Sequence, residues 1–168
     1  REIRPDLEDH RQQGRTGYIG VTEPKSDSCF PGFGNSELPP GFDFWRTLDI
    51  GGSLAAFTGP NPAGLLGQMW AAVDWSDGPT HGYLYLLASV DPPGPDPLDV
   101  MLIRSVDGGT TWTTPKRIND DPLENGAWQW FATMSIAPNG RIDAIWADTR
   151  NDPGGYLSEL YYTYSENA

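Results

Sequence analysis

The chain has 168 residues and a formal net charge of −12, because 23 Asp and Glu residues outnumber 11 Lys and Arg residues. This acidic balance excludes a protein that binds nucleic acid through a basic face, and no apolar run reaches the roughly 18 residues of a membrane-spanning helix. Seven Trp, seven Tyr and six Phe residues argue against disorder, while 20 Gly and 16 Pro residues predict a turn-rich globular chain.

The first 65 residues give a weak and mixed pattern. Residues 1–16 are polar and charged, and they predict either an extended arm or a short helix. Short apolar runs predict strands over Tyr18–Thr22 and Ser53–Thr58. Between them lies a long stretch rich in Pro, Gly and Ser, Glu23–Gly41. A loop of that length is uncommon in a compact domain, so it is expected to be functional, mobile or packed on a neighbour.

From about residue 68 the pattern changes to short strands separated by tight turns, and helical periodicity is nearly absent. Each run is rich in aromatic and aliphatic residues and is bounded by Gly, Pro, Asn or Asp, which is typical of β-structure. The predicted strands are Gln68–Trp75, Gly82–Val90, Asp99–Ser105, Trp130–Ala137, Arg141–Ala147 and Glu159–Ser165. In the fifth of these, Ile142, Ala144 and Trp146, or their alternates, are expected to share one face.

An internal repeat organises these strands. Gly82 and the strand after it align with Gly140 and its strand at an offset of 58, and Asp99–Ser105 aligns with Glu159–Ser165 at an offset of 60. Each unit contains a Gly turn, an apolar strand, an acidic loop and a strand that ends in Ser. Such a repeat predicts an all-β fold built from propeller blades. Two similar hairpins in a β-sandwich are the alternative.

The segment SVDGGTTW, residues 105–112, fits the pattern S-x-D-x-G-x-T-W. The Asp side chain is a short acceptor for the N–H groups of the turn, and the Gly residues permit positive φ. The Trp indole is expected to fold under the turn and seal it against the sheet. The motif therefore predicts a structural turn rather than a catalytic site. Its residues are Ser105, Asp107, Gly109, Thr111 and Trp112.

This motif is the Asp-box, or bacterial neuraminidase repeat, and the chain from about Gly67 resembles bacterial sialidase-like β-propellers. The segments that carry the resemblance are DVMLIRSVDGGTTWTTPKRIND, WQWFATMSIAPNGRIDAIWADTRND and ELYYTYS, within roughly 100 of the 168 residues. The resemblance implies one blade over residues 66–127, which contains the Asp-box, and a following blade over 128–168, truncated before its own Asp-box is complete. Residues 1–65 would form an irregular arm with part of a blade.

Sialidase-like propellers usually have six blades, and this chain is long enough for about three. Three blades cannot close a ring, and an open ring exposes strand edges. The chain is therefore expected to be a fragment with an incomplete ring, or to complete its ring with another chain.

The resemblance also implies where a site would lie. In such propellers the Asp-box joins the third and fourth strands of a blade, away from the active-site face. Three acidic loops would then line that face: Val90–Leu98, Asn119–Gln129 and Asp148–Leu157. They offer a flat indole for stacking on a sugar ring, carboxylates for hydroxyl groups or acid catalysis, and a guanidinium for a substrate carboxylate. The candidate ligand contacts are Asp121, Glu124, Trp128, Asp148, Arg150 and Asp152.

Other interpretations of these residues stay open. Arg150 can instead bridge Asp148 or Asp152, and acidic loops on an acidic protein can simply be solvated. Arg104 and Arg117 flank the Asp-box and are therefore expected on the wrong face for a site. No cofactor is expected, because the zinc and nucleotide-binding spacings are absent, although a calcium ion in the Asp-rich loops remains an option.

Together these features favour part of a secreted sialidase-like propeller, extracellular or periplasmic, that binds or hydrolyses glycans as an exo-glycosidase. The arginine triad, the Tyr–Glu pair and the Phe/Tyr-Arg-Ile-Pro motif of sialidases cannot be assigned here, so this chain alone is not expected to be catalytically complete. The alternative is a non-catalytic propeller subunit for protein recognition or assembly. The expected partners are a glycan or the remaining blades, from the same protein or another chain, with no nucleic acid and no membrane insertion.

Overall fold

A computed structural model describes residues 45–56, 68–152, 154 and 157–166, and the backbone of short strands at 18–19 and 65–66. The strands are β1 (Tyr18–Ile19), β2 (Leu48–Asp49), β3 (Ala55–Ala56), β4 (Leu65–Leu66), β5 (Met69–Val73), β6 (Leu84–Val90), β7 (Asp99–Ser105), β8 (Lys116–Arg117), β9 (Gln129–Ile136), β10 (Ile142–Asp148) and β11 (Glu159–Ser165). All strand pairings within the sheets are antiparallel, and the described residues contain no helix. The all-β prediction is confirmed, whereas the expectations for residues 1–16 and Glu23–Gly41 lie outside the described residues.

Strands β5 to β8 form a four-stranded meander, the first sheet. Strands β6 and β7 pair over their full length, from Leu84 opposite Ser105 to Val90 opposite Asp99. Both faces of β6 carry apolar residues because both faces of this sheet are covered. The short strands β2 and β3 lie at the start of the described region, each in a separate two-stranded pairing with β1 and β4.

Strands β9, β10 and β11 form the second sheet, in the order β11-β10-β9. Ile142, Ala144 and Trp146 of β10 are all buried on one face, as their alternation predicts. Strand β9 contains a bulge opposite the end of β10, and Phe131 lies there with a φ of 54°. A bulge of this kind bends the strand and leaves one residue unpaired.

Two hydrophobic clusters hold the sheets in layers. The larger lies between the two sheets, where Tyr85, Leu87 and Val100 of the first sheet pack with Met134 and Trp146 of the second. The smaller lies on the opposite face of the first sheet, where residues 48–54 pack over its buried side chains. The first sheet is therefore covered on both faces. In the described part of the chain, we find two stacked meanders but no closed ring of sheets.

Antiparallel connections divide the molecule into two ends. The turns after β5, β7 and β9 lie at one end, which we call the Asp-box end. The connections after β6, β8 and β10 lie at the other, the loop end. At the Asp-box end the turns of the two sheets touch, because a Cβ added at Gly140 would lie 3.1 Å from Ser76 Oγ and 3.3 Å from Asp74 Oδ2. Gly140 also has a φ of 83°, so any other residue there would be both crowded by these side chains and strained in its backbone.

Candidate functional site

The Asp-box turn between β7 and β8 is closed by its own side chains. The Ser105 hydroxyl donates to Asp107 Oδ1 and accepts the Gly109 N–H, each at 2.8 Å. Asp107 Oδ1 also accepts the Thr111 N–H at 2.8 Å, and the Trp112 indole N–H donates to the Gly109 carbonyl at 3.0 Å. Gly109 has a φ of 89°, which explains why glycine occupies this place. These contacts are local, with partners two to four residues apart.

The Asp107 carboxylate is a strong acceptor in this turn. Hydrogen bonds from the Thr111 hydroxyl, the Thr111 N–H and the Ser105 hydroxyl lower the pKa of Asp107 to about 2. A carboxylate with this pKa is ionised throughout the physiological range and is poorly suited to donate a proton. Its oxygens are directed back into the turn, so its chemistry is that of a structural acceptor.

At the loop end, Arg117 anchors one half of a buried polar network. Its Nε donates to Asp99 Oδ1 at 2.5 Å, and its terminal nitrogens donate to Asp121 Oδ1 at 2.9 Å and to the Asp121 carbonyl at 2.7 Å. The side-chain amide of Asn119 donates to both carboxylates, at 2.7 and 2.8 Å. The Asp121 side chain is only 1% exposed. Charged groups this deeply buried need such partners to be tolerated.

The expectation that Arg117 lies on the wrong face is therefore wrong. Strand β8 pairs with the first half of β7, with Arg117 opposite Met101. That register brings its guanidinium within reach of Asp99, the first residue of β7, at the loop end.

Asp148 and Arg150 form the other half of the network. Asp148 Oδ2 accepts hydrogen bonds from the Trp146 indole at 2.9 Å and from an Arg150 terminal nitrogen at 2.8 Å, and Oδ1 accepts the Arg150 N–H. Arg150 also donates to Asp120 Oδ1 at 2.6 Å and stacks over the Tyr161 ring at 3.9 Å. The Arg150 guanidinium therefore pairs with carboxylates of its own chain. Its contact with Asp148 is the one that the alternative interpretation of Arg150 predicts.

Gln129 joins the two halves. Its side-chain amide donates to Asp121 Oδ2 at 3.2 Å and to Asp148 Oδ1 at 3.3 Å. Burial alone would raise the pKa of Asp148, but hydrogen bonds from Arg150 and Trp146 outweigh it and hold that pKa below its usual value. The Asp148 carboxylate and the Arg150 guanidinium therefore stay ionised at neutral pH.

The other three candidates lie at the border of this network. Glu124 is exposed and has a φ of 60°. Trp128 is half-buried, and its backbone exchanges hydrogen bonds with Thr149 through the Trp128 N–H (2.8 Å) and the Trp128 carbonyl (3.0 Å). Asp152 is half-buried and accepts the Leu157 N–H at 3.2 Å. The six predicted contacts thus divide into three network members, the buried Asp121 and Asp148 with the half-buried Arg150, and three residues at its border, Glu124, Trp128 and Asp152.

No family model, no curated protein and no solved structure matches this chain. The described residues contain no group of three or more His, Cys, Asp or Glu side chains placed to hold a metal ion. Arg117 and Arg150 instead lie among the carboxylates of the loop end. Nor does any helix in the described segments have the length and apolar character needed to cross a membrane.

Sequence reasoning missed several members of the network, namely Asp99, Arg117, Asn119 and Gln129. One signal could have found two of them. Asp99 begins β7 and Gln129 begins β9, so both start strands at the end where β10 finishes with Asp148. Polar residues at strand ends that share one edge of stacked sheets are expected to meet.

Asp96 carries a prediction for pH dependence. Its Oδ2 accepts the Glu124 N–H at 3.1 Å, but its Oδ1 is buried without a hydrogen-bond partner. Burial, with the nearby Asp99 and Asp121 charges, raises the pKa of Asp96 above its usual value. The folded state then binds this proton more tightly than the unfolded state does, so stability falls as pH rises from about 3.8 through the folded pKa.

We expect Asp96→Asn to raise the free energy of unfolding at pH 7 by about 1 kcal/mol, because it removes a buried charge that lacks a full set of partners. The difference from the wild type should vanish below pH 3.8. Urea denaturation at pH 3 and pH 7 measures both values. Asp77→Asn, at an exposed position in the turn after β5, is the control and should change little at either pH. A destabilised Asp96→Asn protein at pH 7 would contradict the interpretation.

Proposed function

We propose that this chain is part of a sialidase-like propeller and binds glycans at the loop end of its two sheets. The observation that carries the proposal is the position of the Asp-box turn. It joins the third and fourth strands of a four-stranded meander, at the end opposite the acidic loops. That is the arrangement expected from the resemblance of the motif to bacterial neuraminidase repeats.

The buried network supports binding more than catalysis by this chain alone. Asp121, Asp148 and Arg150 satisfy one another, so they form a rigid floor rather than free groups. A glycosidase needs two carboxylates that flank the scissile bond, one of which donates a proton. Among the described residues, neither of the two accessible carboxylates, Glu124 and Asp152, forms an ion pair with a Lys or Arg side chain. Hydrolysis, if the intact propeller performs it, would use residues from elsewhere.

The accessible groups suit a sugar. The Trp128 backbone is held by Thr149 through both its N–H and its carbonyl, which places this residue beside the network. A sugar ring can stack on the Trp128 indole, while Glu124 and Asp152 accept hydrogen bonds from its hydroxyl groups. The network beneath restrains the loops, so little conformational entropy is lost on binding. The proposed site needs no cofactor, and calcium in these loops stays a prediction.

The experiment compares two tryptophans at opposite ends of the molecule. Trp128 lies at the loop end, while Trp75, 76% exposed, lies in the turn after β5 at the Asp-box end. We expect sialyllactose or lactose to bind the wild type and Trp75→Ala equally. Trp128→Ala should bind at least about tenfold more weakly, which corresponds to about 1.4 kcal/mol of lost stacking. Isothermal titration calorimetry measures each affinity.

A matched loss in both variants, or no binding of either sugar by the wild type, would count against a glycan site at the loop end. Circular dichroism of each variant establishes that the fold survives, which is expected because neither side chain belongs to the two hydrophobic clusters.

A second candidate, an assembly subunit, is favoured by the outer face of the second sheet. Its inner face packs on the first sheet, but its outer face leaves large apolar residues exposed, among them Phe131, Ile145, Leu160, Tyr162 and Tyr164. Exposed apolar patches of this kind mark interaction surfaces. Strand β11 is also an edge strand of this sheet, so a partner could add to it.

Sedimentation velocity tests the assembly candidate. If the outer face associates, Leu160→Asp should abolish concentration-dependent association, because it places a charge in the apolar face. Leu157→Asp, at a residue equally exposed (75% against 74%) but outside the strand, should leave association intact. A protein that stays monomeric at all concentrations would remove the support for this candidate in the isolated chain.

A further inference from the structure

A cleft of about 710 Å³ opens between the two sheets toward their Asp-box end. Its walls come from β7, the segment 113–118, and the C-terminal half of β11. Leu87, Leu102, Met134 and Ile142 form its apolar floor. The volume is within the range of small-molecule sites in proteins, roughly 300–1,000 Å³. Arg117 of the loop-end network borders this cleft, but none of the proposed glycan contacts, Glu124, Trp128 and Asp152, lines it.

Arg104 lines the cleft and has one unsatisfied guanidinium nitrogen, Nε. This Nε is buried and has no hydrogen-bond partner, and the guanidinium carbon lies 5.6 Å from the centre of the Tyr83 ring. Among the described residues, no carboxylate lies within ion-pair distance of Arg104. By contrast, Arg117, Arg141 and Arg150 each pair with one or more carboxylates. A buried donor without an acceptor is unfavourable, and an anion that reached it would remove that cost.

A second cation is available at the same cleft. Lys116 also lines it and forms no ion pair within the described part of the chain. This is unusual in a protein with a net charge of −12, where carboxylates are in excess. The hydroxyl groups of Thr113 and Thr163 border the same space and add further donors. The two unpaired cations therefore converge on a single cleft whose floor is apolar.

We propose that this cleft binds a small organic carboxylate, with its charged group on Arg104 and its apolar body on the floor between the sheets. Arginine suits this role because its planar fork can donate two parallel hydrogen bonds to one carboxylate. Lys116 strengthens the field at the rim as a point charge. The apolar floor selects against an inorganic anion, because such an ion leaves that surface without a partner. The site is independent of the proposed glycan site.

Three probes and three variants test the site. Hexanoate carries both the charge and the apolar body, acetate carries only the charge, and hexanol carries only the apolar body. We expect hexanoate to bind the wild-type chain more tightly than either other probe, with shifts in the methyl NMR signals of Leu87, Met134 and Ile142. In Arg104→Gln the dissociation constant for hexanoate should rise about tenfold or more, since a charge-assisted hydrogen bond is lost.

Arg46→Gln is the matched control. It removes the same charge from a residue that contacts the Thr110 carbonyl and does not line the cleft, so hexanoate should bind it as it binds the wild type. Arg104→Lys keeps the positive charge but lacks the planar guanidinium, so it should bind hexanoate with intermediate affinity. This variant also tests the site if Arg104→Gln does not fold. Hexanol binding as tightly as hexanoate, equal losses in Arg104→Gln and Arg46→Gln, or no hexanoate shifts in the wild type would each overturn the proposal.

Discussion

Arg117→Met should lower the free energy of unfolding by about 3–5 kcal/mol, one of the largest effects we expect from any single substitution in this chain. The side chain lies between Asp99 and Asp121, whose side chains are 3% and 1% exposed. Removal of the guanidinium leaves two carboxylates close together and out of contact with water. Asn119, which donates to both, cannot supply the missing positive charge. Methionine has a similar length, so the loss reports the charge rather than a cavity.

Two further variants separate charge from geometry. Arg117→Lys should recover part of the loss, because a lysine carries the charge on a single compact ammonium, whereas Arg117 reaches three acceptor atoms through three different nitrogens. Arg141→Met is the matched control: Arg141 pairs with Asp143 in a more exposed position, where water and salt screen the ion pair, so its loss should be much the smaller of the two. Equilibrium urea denaturation of all three proteins gives the values. A loss below about 1 kcal/mol in Arg117→Met would mean that water reaches the carboxylates.

The sequence predicted the parts of the fold whose causes are local. Strand β10 was evident from the alternation of Ile142, Ala144 and Trp146, and the structure buries these three side chains together. The Asp-box turn was evident because Asp107 and its partners lie within a few residues. In both cases the sequence pattern that identifies the element lies within a few consecutive residues. The strands are correspondingly close to their predicted bounds, as with Asp99–Ser105.

The network at the loop end could not be predicted in the same way. Its bonds join residues far apart in the chain, such as Arg117 with Asp99, 18 residues away, and Arg150 with Asp120, 30 residues away. Whether Arg150 faces a ligand or a neighbouring carboxylate depends on how the two sheets stack. The placement of Arg117 failed for a related reason, since the register of a two-residue strand leaves almost no pattern in the sequence.

The two stacked sheets should unfold as one unit, and Leu87→Ala tests this with an expected loss of about 2–5 kcal/mol. Leu87 lies in β6 of the first sheet and is fully buried in the cluster that also contains Met134 and Ala144 of the second sheet. Its truncation removes contacts to both sheets at once. Amide hydrogen exchange should therefore speed up in β10 as well as in β6, although β10 holds no substitution. A single cooperative transition in urea is expected.

Leu157→Ala is the control for that experiment, because Leu157 is 75% exposed and its truncation should change stability by less than about 0.5 kcal/mol. If Leu87→Ala instead accelerates exchange in the first sheet alone, or produces two separate transitions, the sheets are independent units. The buried network argues against that outcome, since Gln129 of the second sheet donates to Asp121, which Arg117 of the first sheet also holds. Independent unfolding of the sheets would require the apolar packing between them and the charged contacts at the loop end to break in separate steps. Because the apolar packing and the charged contacts both join the same two sheets, we expect them to break in one cooperative transition.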